Sequence, residues 1–140
     1  MAHAFDLTSE DFEETVLADG IVIVDFWASW CGPCVRFAPI FEAAAEAHPD
    51  IQFAKVNTET ERAITEQLEV MSMPTIMAFR DGIQVFRQPG AFPAEILEEL
   101  ISKIRELDMD AVRAEIEHDA EDDEVHDSDA QQEPEHAAVS

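Results

Sequence analysis

Val24-Asp25-Phe26-Trp27-Ala28-Ser29-Trp30-Cys31-Gly32-Pro33-Cys34 is the stretch on which the reading of this chain turns. It continues an apolar run that begins at Ile21. From Ile21 to Trp27 every residue but Asp25 is β-branched or aromatic, apolar on both faces, as in a strand buried inside a sheet. Beyond the cysteines, Phe37, Ile40, Phe41, Ala44 and Ala45 recur at helical spacing as far as His48-Pro49-Asp50. The only two cysteines of the chain therefore lie at a strand-to-helix junction, spaced C-x-x-C, which is the pattern of a redox pair.

Cysteines three apart on a first helical turn share a face and lie close enough to bond. The unpaired N–H groups and the dipole of a helix N-terminus stabilise a thiolate there, and the thiolate is the species that attacks a disulfide. Cys31, placed nearest those donors and expected to be nearest solvent, reads as the nucleophile. Cys34, one turn further in, suits the resolving thiol that attacks the mixed disulfide and frees the reduced substrate. Pro33 presets a helical φ and needs no donor in the first turn, which stiffens the Gly32-Pro33 link. A zinc site would take about four ligands, and no second C-x-x-C or paired histidine accompanies this one, so no metal is expected. A purely structural disulfide across so short a loop would constrain little unfolded-chain entropy.

Asp25 is the only charge in its strand, six positions before Cys31. Two readings stand side by side. It reaches solvent at the strand end, or it is a buried carboxyl with a raised pKa, able to exchange a proton with Cys34. Pro74, in Met71-Ser72-Met73-Pro74-Thr75, leads into another strand, and nothing in the residues alone makes its peptide bond cis.

Outward from this centre, the chain alternates. Thr8 or Ser9 caps a first helix with Phe12, Val16 and Leu17 on its apolar face. Ile51 to Val56 reads as a strand and Glu59 to Leu68 as a short helix. Thr75 to Phe79 and Ile83 to Phe86 flank Arg80-Asp81-Gly82, a hairpin signal. Pro93 starts a helix with Leu97, Leu100, Ile101 and Ile104 inward. The order α-β-α-β-α-β-β-α predicts an α/β fold: a central mixed sheet, parallel plus antiparallel, with helices on both faces.

The formal net charge is −24. Residues 1–107 carry 19 acids and 7 bases, and residues 108–140 carry 13 acids and 1 base, so the last quarter of the chain holds half of the excess. We read 1–107 as one domain and 108–140 as an acidic extension, with a short helix capped by Asp108 over 108–118 and disorder from about Asp119. Such acidity disfavours nucleic acid and anionic membrane surfaces as partners, and there is no apolar run of about 18 residues. The N-terminus lacks the basic and apolar regions of a signal peptide, so the expected compartment is the cytoplasm. His118, His126 and His136 match no metal-ligand spacing, and the acidic run contains no EF-hand loop.

The stretch from Val24 to Cys34 resembles the active-site signature of the thioredoxin family over its whole length, and Cys-Gly-Pro-Cys is the core of its reducing members. Ala54-Lys55-Val56-Asn57, Met73-Pro74-Thr75, Arg80-Asp81-Gly82 and Gly90-Ala91 extend the resemblance, in family order, over about residues 5–107. It implies the thioredoxin fold and a protein-disulfide reductase active in cell redox homeostasis through a Cys31–Cys34 disulfide, with no bound cofactor. It implies a cis bond at Met73–Pro74, with Met73 main-chain groups free to pair with a substrate strand. Asp25 would be buried beneath Cys34 with Lys55 near it, and Trp30, Gly32, Pro33, Met73, Gly90 and Ala91 would form an apolar docking surface. Electrons would come from NADPH through a thioredoxin reductase, and the partners would be that reductase and disulfide-bearing clients, met by a monomer. The chain departs from the family at Val35, where Lys is usual, at Met73, and in its acidic extension. The alternative to a reductase is a chaperone or adaptor module that binds one client through the apolar surface or the acidic segment.

Overall fold

The computed structural model of the chain describes residues 3–119. Its strands are β1 (Phe5–Asp6), β2 (Ile21–Trp27), β3 (Gln52–Asn57), β4 (Thr75–Arg80) and β5 (Ile83–Pro89). They form one sheet in the order β1-β3-β2-β4-β5. β2 runs parallel to β3, and β3 parallel to β1, while β4 is antiparallel to both β2 and β5. The mixed sheet and the central place of β2 agree with the expectation. β1 is an addition to it. With only two residues, both exposed, it has no periodicity to read and exists only because β3 offers it an edge.

The helices are α1 (Ser9–Val16), α2 (Gly32–Ala47), α3 (Arg62–Gln67) and α4 (Ala94–Glu106). Thr8 caps α1, its hydroxyl accepting the Asp11 N–H at 3.2 Å. α3 starts three residues later than Glu59, because Asn57 to Glu61 form a turn. In it the Asn57 carbonyl accepts from Thr60 and Glu61, and the Asn57 side chain accepts the Glu59 N–H at 2.9 Å. α2 runs on through Pro39, which lacks the N–H that would bond the Val35 carbonyl.

Alternation along β2 divides the core. Val22, Val24 and Phe26 join Phe12, Val16, Ile64 and Phe79 in a cluster beneath α1 and α3. Phe12 touches Phe26 and Phe79 with ring centroids 6.0 Å away in each case. Ile23, Asp25 and Trp27 project to the other face. There α2 buries Cys34, Phe37, Phe41, Ala44 and Ala45, Phe41 packs on Phe53 at 5.2 Å, and α4 buries Leu97, Ile101 and Ile104. Leu100 is only half-buried. The β4–β5 link is the two-residue turn Asp81-Gly82 with φ of 53° and 84°, as a type I′ hairpin requires.

The chain divides into two units, one ending at Arg105 and one beginning at Glu106. In the second, residues 109–119 are helical, and Asp108 Oδ1 accepts the N–H groups of Asp110 and Ala111 at 3.1 and 3.2 Å. The expected disorder beyond Asp119, and His126 and His136, lie outside the described residues.

Candidate active site

β2 ends and α2 begins on either side of the C-x-x-C pair. Cys31 is the N-cap of α2 in an extended conformation, and the Cys34 N–H donates to Cys31 Sγ at 3.1 Å. The two sulfurs form a disulfide with Cα atoms 5.3 Å apart. One expectation is corrected. Cys31 is not the more exposed of the two, since each is 3% accessible. The two cysteines cluster with Ala28, and half-buried Trp27 and Met73 pack against this cluster. The helix-terminal hydrogen bond to Cys31 Sγ, and not exposure, distinguishes the two sulfurs.

The rest of the rim comes from far along the chain. Met73–Pro74 is a cis peptide, and the Met73 carbonyl oxygen lies 3.3 Å from Cys31 Sγ. Thr75 pairs with Pro89 where β4 begins and β5 ends, and the Gly90 N–H donates to the Pro74 carbonyl at 2.7 Å. Gly90 manages this with φ at 104°, open to glycine at little cost. Trp30 is 68% accessible, Gly32, Pro33, Gly90 and Ala91 are exposed, and Met73 is half-buried. These six residues, expected to form the docking surface, are therefore at the surface or at its edge, whereas Pro74 is buried. Met71, 88% accessible, and Val35 add further exposed apolar surface.

Beneath the pair, the open question about Asp25 is resolved. Its strand position turns it inward on the α2 face, and it is 1% accessible. Asp25, Trp27, Ala28, Cys34, Val35, Ala38 and Lys55 line a cavity of about 180 Å³. Among the described residues, neither Asp25 Oδ1 nor Trp27 Nε1 has a hydrogen-bond partner. Burial raises the Asp25 carboxyl to about 7, and the positive charge of Lys55 opposes that rise without cancelling it. β2–β3 pairing sets Asp25 opposite Lys55, and the Lys55 ammonium stands 5.3 Å from the centre of the Trp27 ring.

Sequence reading missed one support of the site. Glu59 Oε1 accepts both the N–H and the hydroxyl of Ser29, at 2.9 and 2.7 Å, which ties the loop before Cys31 to the end of β3. These bonds hold the Glu59 carboxyl below its usual range. Two polar residues 30 positions apart leave no sequence signal of such a contact. Of metal-type donors, only His3, Glu42 and Glu46 gather among the described residues, and His3 Nδ1 is already hydrogen-bonded to Glu42 Oε2 at 3.1 Å.

The thioredoxin family model matches residues 3–103. The chain belongs to the thioredoxin family. It is 46% identical over 113 residues to a putative thioredoxin 2 of Streptomyces coelicolor, covering 81% of this chain and 84% of that one. It is 40% identical over 99 residues to a thioredoxin of Alicyclobacillus acidocaldarius, covering 70% and 94%. Among solved structures, Fasciola hepatica thioredoxin superposes with a TM-score of 0.65 at 34% identity, covering 71% of this chain and 97% of its own. Like its family, this thioredoxin-type chain is a thiol–disulfide oxidoreductase, working through a redox-active disulfide and not through a bound cofactor. Among the described residues no helix is long and apolar enough to cross a membrane.

Proposed function

We propose that the chain reduces disulfides of client proteins, with Cys31 attacking, Cys34 resolving and Asp25 taking the proton of Cys34. The observation that carries this reading is a carboxyl buried on the cavity that Cys34 also lines, with its pKa brought to about 7. In the reduced protein the Cys31 thiolate, stabilised by the Cys34 N–H, attacks one sulfur of the client disulfide. The other client sulfur leaves as a thiolate and takes up a proton. Asp25 as carboxylate then takes the proton of Cys34, and the Cys34 thiolate attacks Cys31 Sγ. The second client sulfur departs, and the Cys31–Cys34 disulfide remains. A carboxyl that titrates near neutrality is matched to this transfer, because both of its protonation states are populated there. Lys55 keeps the carboxyl from rising further and so keeps the carboxylate available.

The client strand pairs with the Met73 main chain beside cis-Pro74 and covers Trp30, Gly32, Pro33, Gly90 and Ala91. Electrons return from NADPH through a thioredoxin reductase, and the chain acts as a monomer in the cytoplasm on a range of protein disulfides. The test is the equilibrium reduction potential of the Cys31/Cys34 pair against a dithiothreitol buffer. A value of about −270 mV, the figure typical of thioredoxin as a class, supports the reductase. A value of about −180 to −120 mV recasts it as an isomerase or oxidant. A Cys34→Ser variant is expected to accumulate mixed disulfides with clients, and a Cys31→Ser variant is not.

A further inference from the structure

The chain has eight Lys and Arg against 32 Asp and Glu, so a cation without a partner is the unusual case. Arg80, Lys103, Arg105 and Arg113 face carboxylates of Asp81, Glu99, Asp50 and Asp110. Arg62 and Arg87 donate to main-chain carbonyls, and Lys55 stands over Trp27. Arg36 alone has neither a hydrogen bond nor an ion pair among the described residues, although its side chain is exposed. Its helical neighbours explain why. The positions three and four away on α2 are Gly32, Pro33, Pro39 and Ile40, none of them acidic.

The guanidinium does not extend away from the site. A β-carbon built on Gly32 would lie 3.3 Å from Arg36 Nη1, so the group lies back over the Cys31-Gly32-Pro33 turn, where Gly32 has no side chain to keep it off. It therefore stands on the face that a client must cover, over the turn that carries exposed Gly32 and Pro33. A partner that covers this face removes water from the guanidinium. A charge taken out of water without a counter-ion is costly, whereas one that meets a well-placed anion is not. No carboxylate of the described residues pairs with it, so the anion has to come with the partner.

We propose that Arg36 is a client-recognition residue that takes a carboxylate placed beside the client's cystine. The proposal rests on the reductase reading and names a substrate preference of that same site. The long-range field of a chain at −24 repels an acidic partner as a whole. The fitting client is therefore neutral or basic overall and carries one acidic residue next to its disulfide. Planar guanidinium groups bind carboxylates through two parallel hydrogen bonds, which ties recognition to a register as well as to a charge.

Two disulfide-bridged peptides test this, identical except that one has Glu and the other Gln beside the cystine. Reduced protein is mixed with each at about 50 mM and at about 500 mM salt, a change that shortens the screening length several-fold, and the rate of reduction is followed. Wild type is expected to reduce the Glu peptide three- to tenfold faster than the Gln peptide at low salt, and to lose most of that preference at high salt. Arg36→Gln should bring the ratio to about one, and Arg36→Lys should keep part of it. A wild-type ratio of one overturns the proposal. So does an Arg36→Gln variant that slows both peptides equally, because Arg36 would then act on the dithiol and not on the client. Insulin reduction, followed alongside, separates the two readings. If wild type reduces insulin but does not discriminate between the peptides, only the recognition proposal falls. If it reduces neither insulin nor either peptide, the reductase reading falls with it.

Discussion

Asp25 holds its proton in the folded chain up to a pH of about 7, whereas an unfolded chain releases it near 3.8. A carboxyl with a raised folded pKa favours the fold only while it stays protonated, so its cost is absent below about pH 4. That cost grows as the pH rises from about 4 to 7 and is complete above 7. The shift corresponds to an unfavourable contribution on the order of 4 kcal/mol at alkaline pH. Asp25→Asn removes the charge. The stability of the variant relative to wild type is therefore expected to rise by about 2–3 kcal/mol between pH 5 and pH 8, read from urea midpoints at each pH. The same variant should reduce insulin roughly 10- to 100-fold more slowly at pH 7, because the proposed proton acceptor for Cys34 is gone. A gain in stability with a loss of turnover marks a group kept for its chemistry. A variant whose stability relative to wild type does not change with pH would show that Asp25 is not buried as an acid. Before folding is known, Asp25 is legible only as an anomaly in an apolar strand. That it points at Cys34, and not at solvent, depends on which face of β2 meets α2.

Among the elements, the β4–β5 hairpin carries the most exacting local demand. It brings Pro89 alongside Thr75 and so carries Gly90 to the Pro74 carbonyl. Its turn places Asp81 and Gly82 at positive φ, and a β-carbon on Gly82 would lie 3.2 Å from the Leu17 carbonyl oxygen. Gly82→Ala meets both the conformational penalty and this close backbone contact. A loss of about 1–2 kcal/mol in denaturant unfolding is expected, against the fractional gain that Gly→Ala gives where the backbone is compatible. The Asp-Gly pair made this hairpin readable from local sequence. The helical spacing of Phe37, Phe41, Ala44 and Ala45 did the same for α2. β1 and the late start of α3 were not readable. A two-residue strand has no pattern of its own, and the Asn57 turn is decided by hydrogen bonds to its own side chain and carbonyl.

At the scale of the whole molecule, the acidic C-terminal segment doubles the net charge. Removing residues 108–140 takes away 13 acids and 1 base and leaves a chain of net charge −12. Its insulin reduction is expected to stay within a factor of two to three of the full chain, since disulfide exchange uses only Cys31, Cys34 and their surroundings. A tenfold loss would show instead that the segment takes part in catalysis or in client capture.

The sequence by itself determined the fold class, the strand-to-helix placement of Cys31 and Cys34 and the family to which the chain belongs. Each of these rests on local pattern: apolar alternation, helical spacing, a C-x-x-C and an Asp-Gly turn. Tertiary structure alone decided that the two cysteines are equally covered, that Asp25 faces the cavity beneath Cys34, and that Glu59 holds Ser29. It also decided that Arg36 lies unpaired over Gly32. The first and third depend on residues 42 and 30 positions apart that meet across elements, the second on which face of β2 packs against α2, and the last on how one side chain folds back over its own turn. No local periodicity encodes such meetings.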